Sequence, residues 1–136
     1  MKELTVEATI ENIEKVTNFI NSELEAIGCP MKAQAQIDVA IDELFSNIAN
    51  YAYNPDTGKA TICFEVTDNP AAVVITFMDN GVPYDPLSRD DPNTDNKNVE
   101  DRIEGGLGIF MVKKSMDGIE YEYKDGKNIL KIKKNI

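Results

Sequence analysis

The sequence predicts an α/β fold of the α+β kind: a two-layer sandwich in which one mixed, mostly antiparallel sheet carries helices on a single face. Three observations predict it. The chain reads as strand, two helices, two strands, a long polar loop, one helix and two strands, so helical patterns are grouped rather than alternating with every strand. Asp125-Gly126 lies between two closing β-rich runs and is a strong two-residue hairpin signal. The 136 residues suffice for one domain burying roughly two-thirds of the surface of its unfolded chain, so 1–136 reads as a single domain.

Each element has its own signal. Leu4, Val6 and Ala8 alternate with polar residues and predict a first strand. Thr9 is placed to cap a helix whose apolar stripe is Ile10, Ile13, Val16, Ile20, Leu24 and Ile27, and Gly28 stops it. A second helix is expected from near Pro30 to about Tyr53, where Asn54-Pro55 ends it. Ile62, Phe64 and Val66 alternate as a strand, Asp68-Asn69-Pro70 turns the chain, and Val73 to Phe77 returns. Beyond a polar loop, a helix from about Leu107 to Met116 is stopped by Asp117-Gly118. Strands near Ile119–Tyr123 and Asn128–Lys133 complete the hairpin.

Composition narrows the function. A net charge of −10, from 14 Lys and Arg against 24 Asp and Glu, works against direct nucleic acid binding, which depends on neutralising phosphates. An acidic body still accepts a nucleotide where backbone N–H groups and a metal ion supply the positive field. No run approaches about 18 apolar residues, and Met1 to Ala8 lacks the apolar stretch of a signal peptide. No membrane association is expected, and the expected location is cytoplasmic. Cys29 and Cys63 lack metal or redox spacing and read as reduced thiols. The chain has no histidine, which removes histidine-based catalytic triads and metal sites. Any general base is a carboxylate, a lysine or a water held by one.

Three stretches carry chemistry. On the second helix, Ile37, Ile41, Leu44 and Ile48 form the stripe that faces the sheet. Beside it runs a small or polar stripe: Gln36, Ala40, Glu43, Asn47, Asn50 and Asn54. A merely solvated face normally fills with Lys, Glu, Gln or Arg, whereas Asn is a mediocre helix former. The aligned Glu43 and Asn47 present a carboxylate and a side-chain carbonyl one turn apart. The carbonyl is a hard oxygen ligand suited to Mg²⁺, and the carboxylate can polarise a hydroxyl near a terminal phosphate.

The second stretch is Asp79-Asn80-Gly81-Val82-Pro83-Tyr84-Asp85-Pro86. Asn-Gly would signal a hairpin, but Pro83 and Pro86 break any ladder and no strand pattern follows. An Asp at the end of a buried strand can accept from a flat donor such as an adenine amino group. The Gly two residues on lets the backbone approach the ring. In the third stretch, Gly105, Gly106 and Gly108 precede Ile109-Phe110-Met111-Val112, and the N–H groups of such a helix start can bind phosphates. Between the second and third lies Asp85 to Glu104, a polar segment long enough to read as a functional lid.

At these residues the chain resembles a known superfamily. The run Ile37 to Tyr53, with Asp42-Glu43-Leu44-Phe45-Ser46-Asn47 at its centre, resembles the N box of the GHKL ATPases. Asp79-x-Gly81-x-Pro83-Tyr84-Asp85-Pro86 resembles the adenine-side box of the anti-sigma-factor serine/threonine kinases. Gly105-Gly106-Leu107-Gly108-Ile109 through Met116-Asp117 resembles their last glycine box. Pro83 stands where the wider superfamily has a second glycine, which suits this subgroup and not histidine kinases or gyrases. The resemblance implies the Bergerat ATP-binding fold, binding of ATP or ADP with Mg²⁺, and a role among the small kinases that switch bacterial sigma factors.

By position, the resemblance implies that Glu43 is the catalytic base and Asn47 the magnesium ligand. It implies that Asp79 receives adenine and that Gly81, Gly106 and Gly108 pack on the nucleotide. Asn47, Asn50, Gly105 and Leu107 complete the expected nucleotide contacts, and residues of about 85–104 form the ATP lid. The implied partners are a sigma factor and a small anti-sigma-factor antagonist protein, with a homodimer as the expected assembly. Two functions remain open: a kinase phosphorylating the antagonist on serine or threonine, and an ATP-gated module that sequesters its partner without phosphotransfer. A histidine-kinase catalytic domain working in trans is a third reading, against which Pro83 and the short lid argue.

Overall fold

The computed structural model describes residues 1–88 and 107–136. Most of the expected lid, with Gly105 and Gly106, lies outside them. The elements are β1 (Lys2–Glu7), α1 (Ile13–Ala26), α2 (Met31–Asn47), β2 (Lys59–Thr67), β3 (Ala72–Asp79), α3 (Leu107–Ser115), β4 (Gly118–Lys124) and β5 (Lys127–Asn135). The strands form one five-stranded sheet in the order β1-β2-β3-β5-β4.

Every pairing in that sheet is antiparallel, so it is not mixed. The reason lies in the connections. β3 and β4 run the same way, but the hairpin at Asp125-Gly126 folds β5 back between them, so no parallel pair forms. Asp125 and Gly126 have φ of 55° and 77°, the two positive values that a tight hairpin turn of this hand requires.

The helices lie on one face and share one core with the sheet. Val16, Ile20 and Leu24 of α1, and Ile37, Ile41, Leu44 and Phe45 of α2, are buried against Ile62, Phe64, Ile75, Phe77, Leu130 and Ile132. α1 ends as the sequence requires. Gly28 takes φ of 68°, its N–H donates to Glu25 O and that of Cys29 to Leu24 O, at 3.1 and 3.0 Å, satisfying carbonyls left free by the helix end.

The start of α1 differs from expectation. Thr9 makes no side-chain cap; a single 3₁₀ turn, Ile10–Asn12, precedes the helix and the Asn12 N–H donates to Thr9 O at 3.0 Å. The Asn12 side-chain amide instead reaches back to Glu7 O at 2.8 Å. The tighter turn carries Ile10 off the apolar stripe, leaving it half exposed.

Candidate nucleotide site

The sheet register builds the floor of the site. Along one cross-strand row, Val6 pairs with Ala60, Ala60 with Asp79, Asp79 with Asn128 and Asn128 with Tyr123. These positions continue the alternation that buries Ile62, Phe77 and Leu130, but here the core face turns polar. Asp79 and Asn128 are the buried polar residues of the described chain, each 6% exposed. Such groups persist in a core only when hydrogen-bonded.

They are. Asp79 Oδ1 accepts the Gly81 N–H at 2.8 Å and Asn128 Nδ2 at 2.9 Å. Among the described residues Oδ2 takes no hydrogen bond. Asn128 Nδ2 also donates to Val82 O at 2.9 Å, while its Oδ1 accepts the Tyr84 N–H at 3.1 Å and the Tyr121 hydroxyl.

α2 forms the wall. Past Asn47 the helix widens into a π turn, Ile48–Ala52, a rare form often found at functional sites. The wider turn advances less rotation per residue, so Asn47, Ile48, Tyr51 and Ala52 face the cleft whereas Asn50 is turned out to solvent. Tyr53 ties this end down: its hydroxyl donates to Lys59 O at 2.6 Å and accepts the Asn80 N–H at 2.8 Å. The Val82 N–H donates to Ala52 O at 2.9 Å.

Gly81 lies so close to Ala52 that a Cβ there would overlap the Ala52 carbonyl. Backbone cannot move aside as a flexible side chain does. Gly81→Ala is therefore expected to destabilise the protein by about 1–3 kcal/mol, measured by urea unfolding. Wild-type stability would contradict this packing.

Between floor and wall lies an open cleft. Apolar groups, among them Leu44, Ile48, Phe77, Val82 and Leu130, line most of it, with Asn47, Asp79 and Asn128 as polar points. Tyr51 and Tyr84 stand at its edge, ring centroids 6.1 Å apart and tilted by 42°.

Glu43 sits one helical turn before Asn47, outside the residues that line the cleft, and is half-buried. Burial first, then the charge of Asp42, pushes its carboxyl above the ordinary 4.5, and a hydrogen bond with Asn47 opposes the shift. An ionised carboxylate only accepts, so an Asn47 amide turned toward it offers Nδ2 and keeps Oδ1 for another ligand. The Glu43 carboxylate also packs on Gly108 of α3, where any Cβ would overlap it.

The structure thus brings Asn47 and Asp79 to one cleft, sets Gly81 beneath its wall and joins Glu43 to Gly108. Leu107 opens α3, and Gly105 and Gly106 lie outside the described residues. Asn128, Tyr53 and Tyr121 escaped the sequence reading. Asn128 alone left a signal, a polar residue at core parity two before Leu130 and four before Ile132.

The residues fit a nucleotide with its metal. Among the described residues Asp79 Oδ2 is an unused acceptor, and Asp79 lines an apolar cleft. Among the described residues no group of three or more acidic or Cys side chains could cage a metal ion, so Asn47 would share Mg²⁺ with phosphates and water, the usual arrangement for that ion.

Comparison with known proteins agrees with this geometry. Residues 6–134 match the family described as histidine kinase-like ATPase domain. The serine-protein kinase RsbW of Staphylococcus epidermidis is 26% identical over 134 residues, 96% of this chain and 84% of the relative. The protein of the same name from Bacillus cereus (strain B4264) is 35% identical over 98 residues, 70% of this chain and 60% of the relative. That of Bacillus mycoides (strain KBAB4) is 27% identical over 134 residues, covering 96% and 82%. Among the described residues no helix is long and apolar enough to cross a membrane.

Proposed function

The chain belongs to the histidine kinase-like ATPase family, and from that premise we propose that it is a cytoplasmic ATP-dependent serine/threonine protein kinase. Its substrate is a small anti-sigma-factor antagonist, its second partner a sigma factor, and its assembly a homodimer. The observation that carries the reading is the Glu43–Asn47 pair: a half-buried carboxylate held above its ordinary range, one helical turn before an amide on the cleft whose oxygen can take a metal. Nucleotide binding alone requires no such base. The RsbW relatives bear the name serine-protein kinase.

In this mechanism Asp79 accepts the exocyclic amino group of adenine while Ile48, Ala52 and Val82 enclose the base in an apolar cleft. Asn47 would hold Mg²⁺ through its side-chain oxygen, and the ion would supply neutralisation of charge on the phosphates. Glu43 takes the proton of the attacking hydroxyl. The bond from the substrate oxygen to the γ-phosphorus forms as the bond from that phosphorus to the bridging oxygen breaks, and ADP leaves. Raising a carboxyl by burial brings a base closer to working pH and strengthens it.

The test is transfer of label from γ-labelled Mg-ATP to a serine-bearing antagonist of this kind. Glu43 must be ionised to act, so transfer is expected to fall as pH drops through its raised value, placing the acid limb above 4.5. Tight ATP binding without transfer to any such partner replaces the kinase by a nucleotide-gated binding module.

A further inference from the structure

We propose that Asn128 is a positioning residue for base recognition: it fixes the Asp79 carboxylate with one oxygen left for the cleft, so that the site selects a purine with an amino group rather than a carbonyl at C6. The proposal rests on the nucleotide reading above and adds the residue that sets its base preference.

A side-chain amide has two N–H donors and an oxygen with two lone pairs, and in Asn128 all are engaged. Nδ2 donates to Asp79 Oδ1 and Val82 O, each at 2.9 Å, with Gly81 O at 3.5 Å. Oδ1 accepts the Tyr84 N–H at 3.1 Å and the Tyr121 hydroxyl. Rotating the amide by half a turn would set its oxygen against a carboxylate and a carbonyl, and its N–H groups against two donors. The orientation is therefore fixed, and Asn128 meets Asp79 only as a donor. Burial pushes the Tyr121 hydroxyl up, which keeps its proton in place as the donor that completes the set.

The consequence falls on Asp79. With Gly81 N–H and Asn128 Nδ2 both on Oδ1, the carboxylate cannot rotate without losing two bonds in a buried place. Oδ2 is left as a pure acceptor. A base with an amino group at that point gains a charge-assisted bond; a base with a carbonyl there meets a carboxylate with no proton between them.

The test is calorimetric titration of the full chain with Mg-ADP and with Mg-GDP, for wild type, Asn128→Ala and Asn128→Asp. Wild type is expected to prefer ADP by about a hundredfold or more. Asn128→Ala is expected to weaken ADP about tenfold and to shrink the ADP-to-GDP ratio by a similar factor. Asn128→Asp keeps the shape but sets two carboxylates side by side, which favours one shared proton. Its ADP affinity relative to wild type is expected to fall as pH rises between about 5 and 8 and to recover at the acid end. The other titratable groups around the pair are Asp85, Tyr53, Tyr84, Tyr121 and Tyr123, and all are present in wild type, against which each point is referenced.

Loss of ADP and GDP in equal proportion, or an Asn128→Asp profile parallel to wild type, overturns the proposal and leaves the nucleotide reading standing. A wild type that binds no ADP overturns both.

Discussion

Glu43→Gln is expected to lower phosphotransfer by about 10²–10⁴ while leaving ATP affinity within a few-fold. Glutamine has the volume of glutamate and keeps an oxygen that can accept from Asn47, so the helix face and the packing on Gly108 survive. It cannot take the proton of an attacking hydroxyl. Replacing a half-buried carboxylate whose ionised form is disfavoured by burial also removes a cost to the folded state near neutral pH, so loss of activity should come without loss of stability. Single-turnover transfer, titration and thermal unfolding on the same preparation check all three parts. Transfer at the wild-type rate would mean that Glu43 is not the base.

The second large effect is expected at Asp79. Asp79→Asn should weaken adenine nucleotides by about a hundredfold or more, through the geometry of the surrounding donors. Gly81 N–H and Asn128 Nδ2 both point at one oxygen of residue 79, so an amide there must keep its oxygen toward them. Its NH₂ group is then turned to the cleft, where the base amino group needs an acceptor. The fold should be intact, because both internal bonds are retained. Titration of the variant beside its urea unfolding curve separates lost recognition from lost structure; unchanged affinity would remove Asp79 from base recognition.

The residues proposed at both positions stand out in the sequence for physical reasons. The two stripes of α2 follow from helical periodicity, and Glu43 and Asn47 stood out because Asn is a poor choice for an ordinary solvent face. Asp79-Asn80-Gly81 stood out because the prolines after it forbid the hairpin that Asn-Gly would otherwise make. The Asp125-Gly126 turn could be read with its strands because its backbone demand is local.

What escaped depends on contacts distant in sequence. The π turn at Ile48–Ala52 goes with the tie from Tyr53 to Lys59 and Asn80, which periodicity does not encode, and it turns Asn50 away from the cleft. Thr9 has the chemistry of a cap, but the 3₁₀ turn beside it uses its backbone carbonyl instead. The wholly antiparallel sheet depends on where β5 inserts. Asn128 gains its partners only once β3, β4 and β5 are side by side.

The most direct measurement is titration of the wild-type chain with Mg-ADP and Mg-ATP, followed by thermal unfolding at the same nucleotide concentrations. A ligand that binds only the folded state at a hundred times its Kd stabilises that state by about 2.7 kcal/mol. The expected result is saturable heat at one site per chain and a rise in Tm with nucleotide, both sharply reduced in Asp79→Asn. Absence of heat and of any stabilisation at millimolar nucleotide would contradict the assignment of this cleft as a nucleotide site.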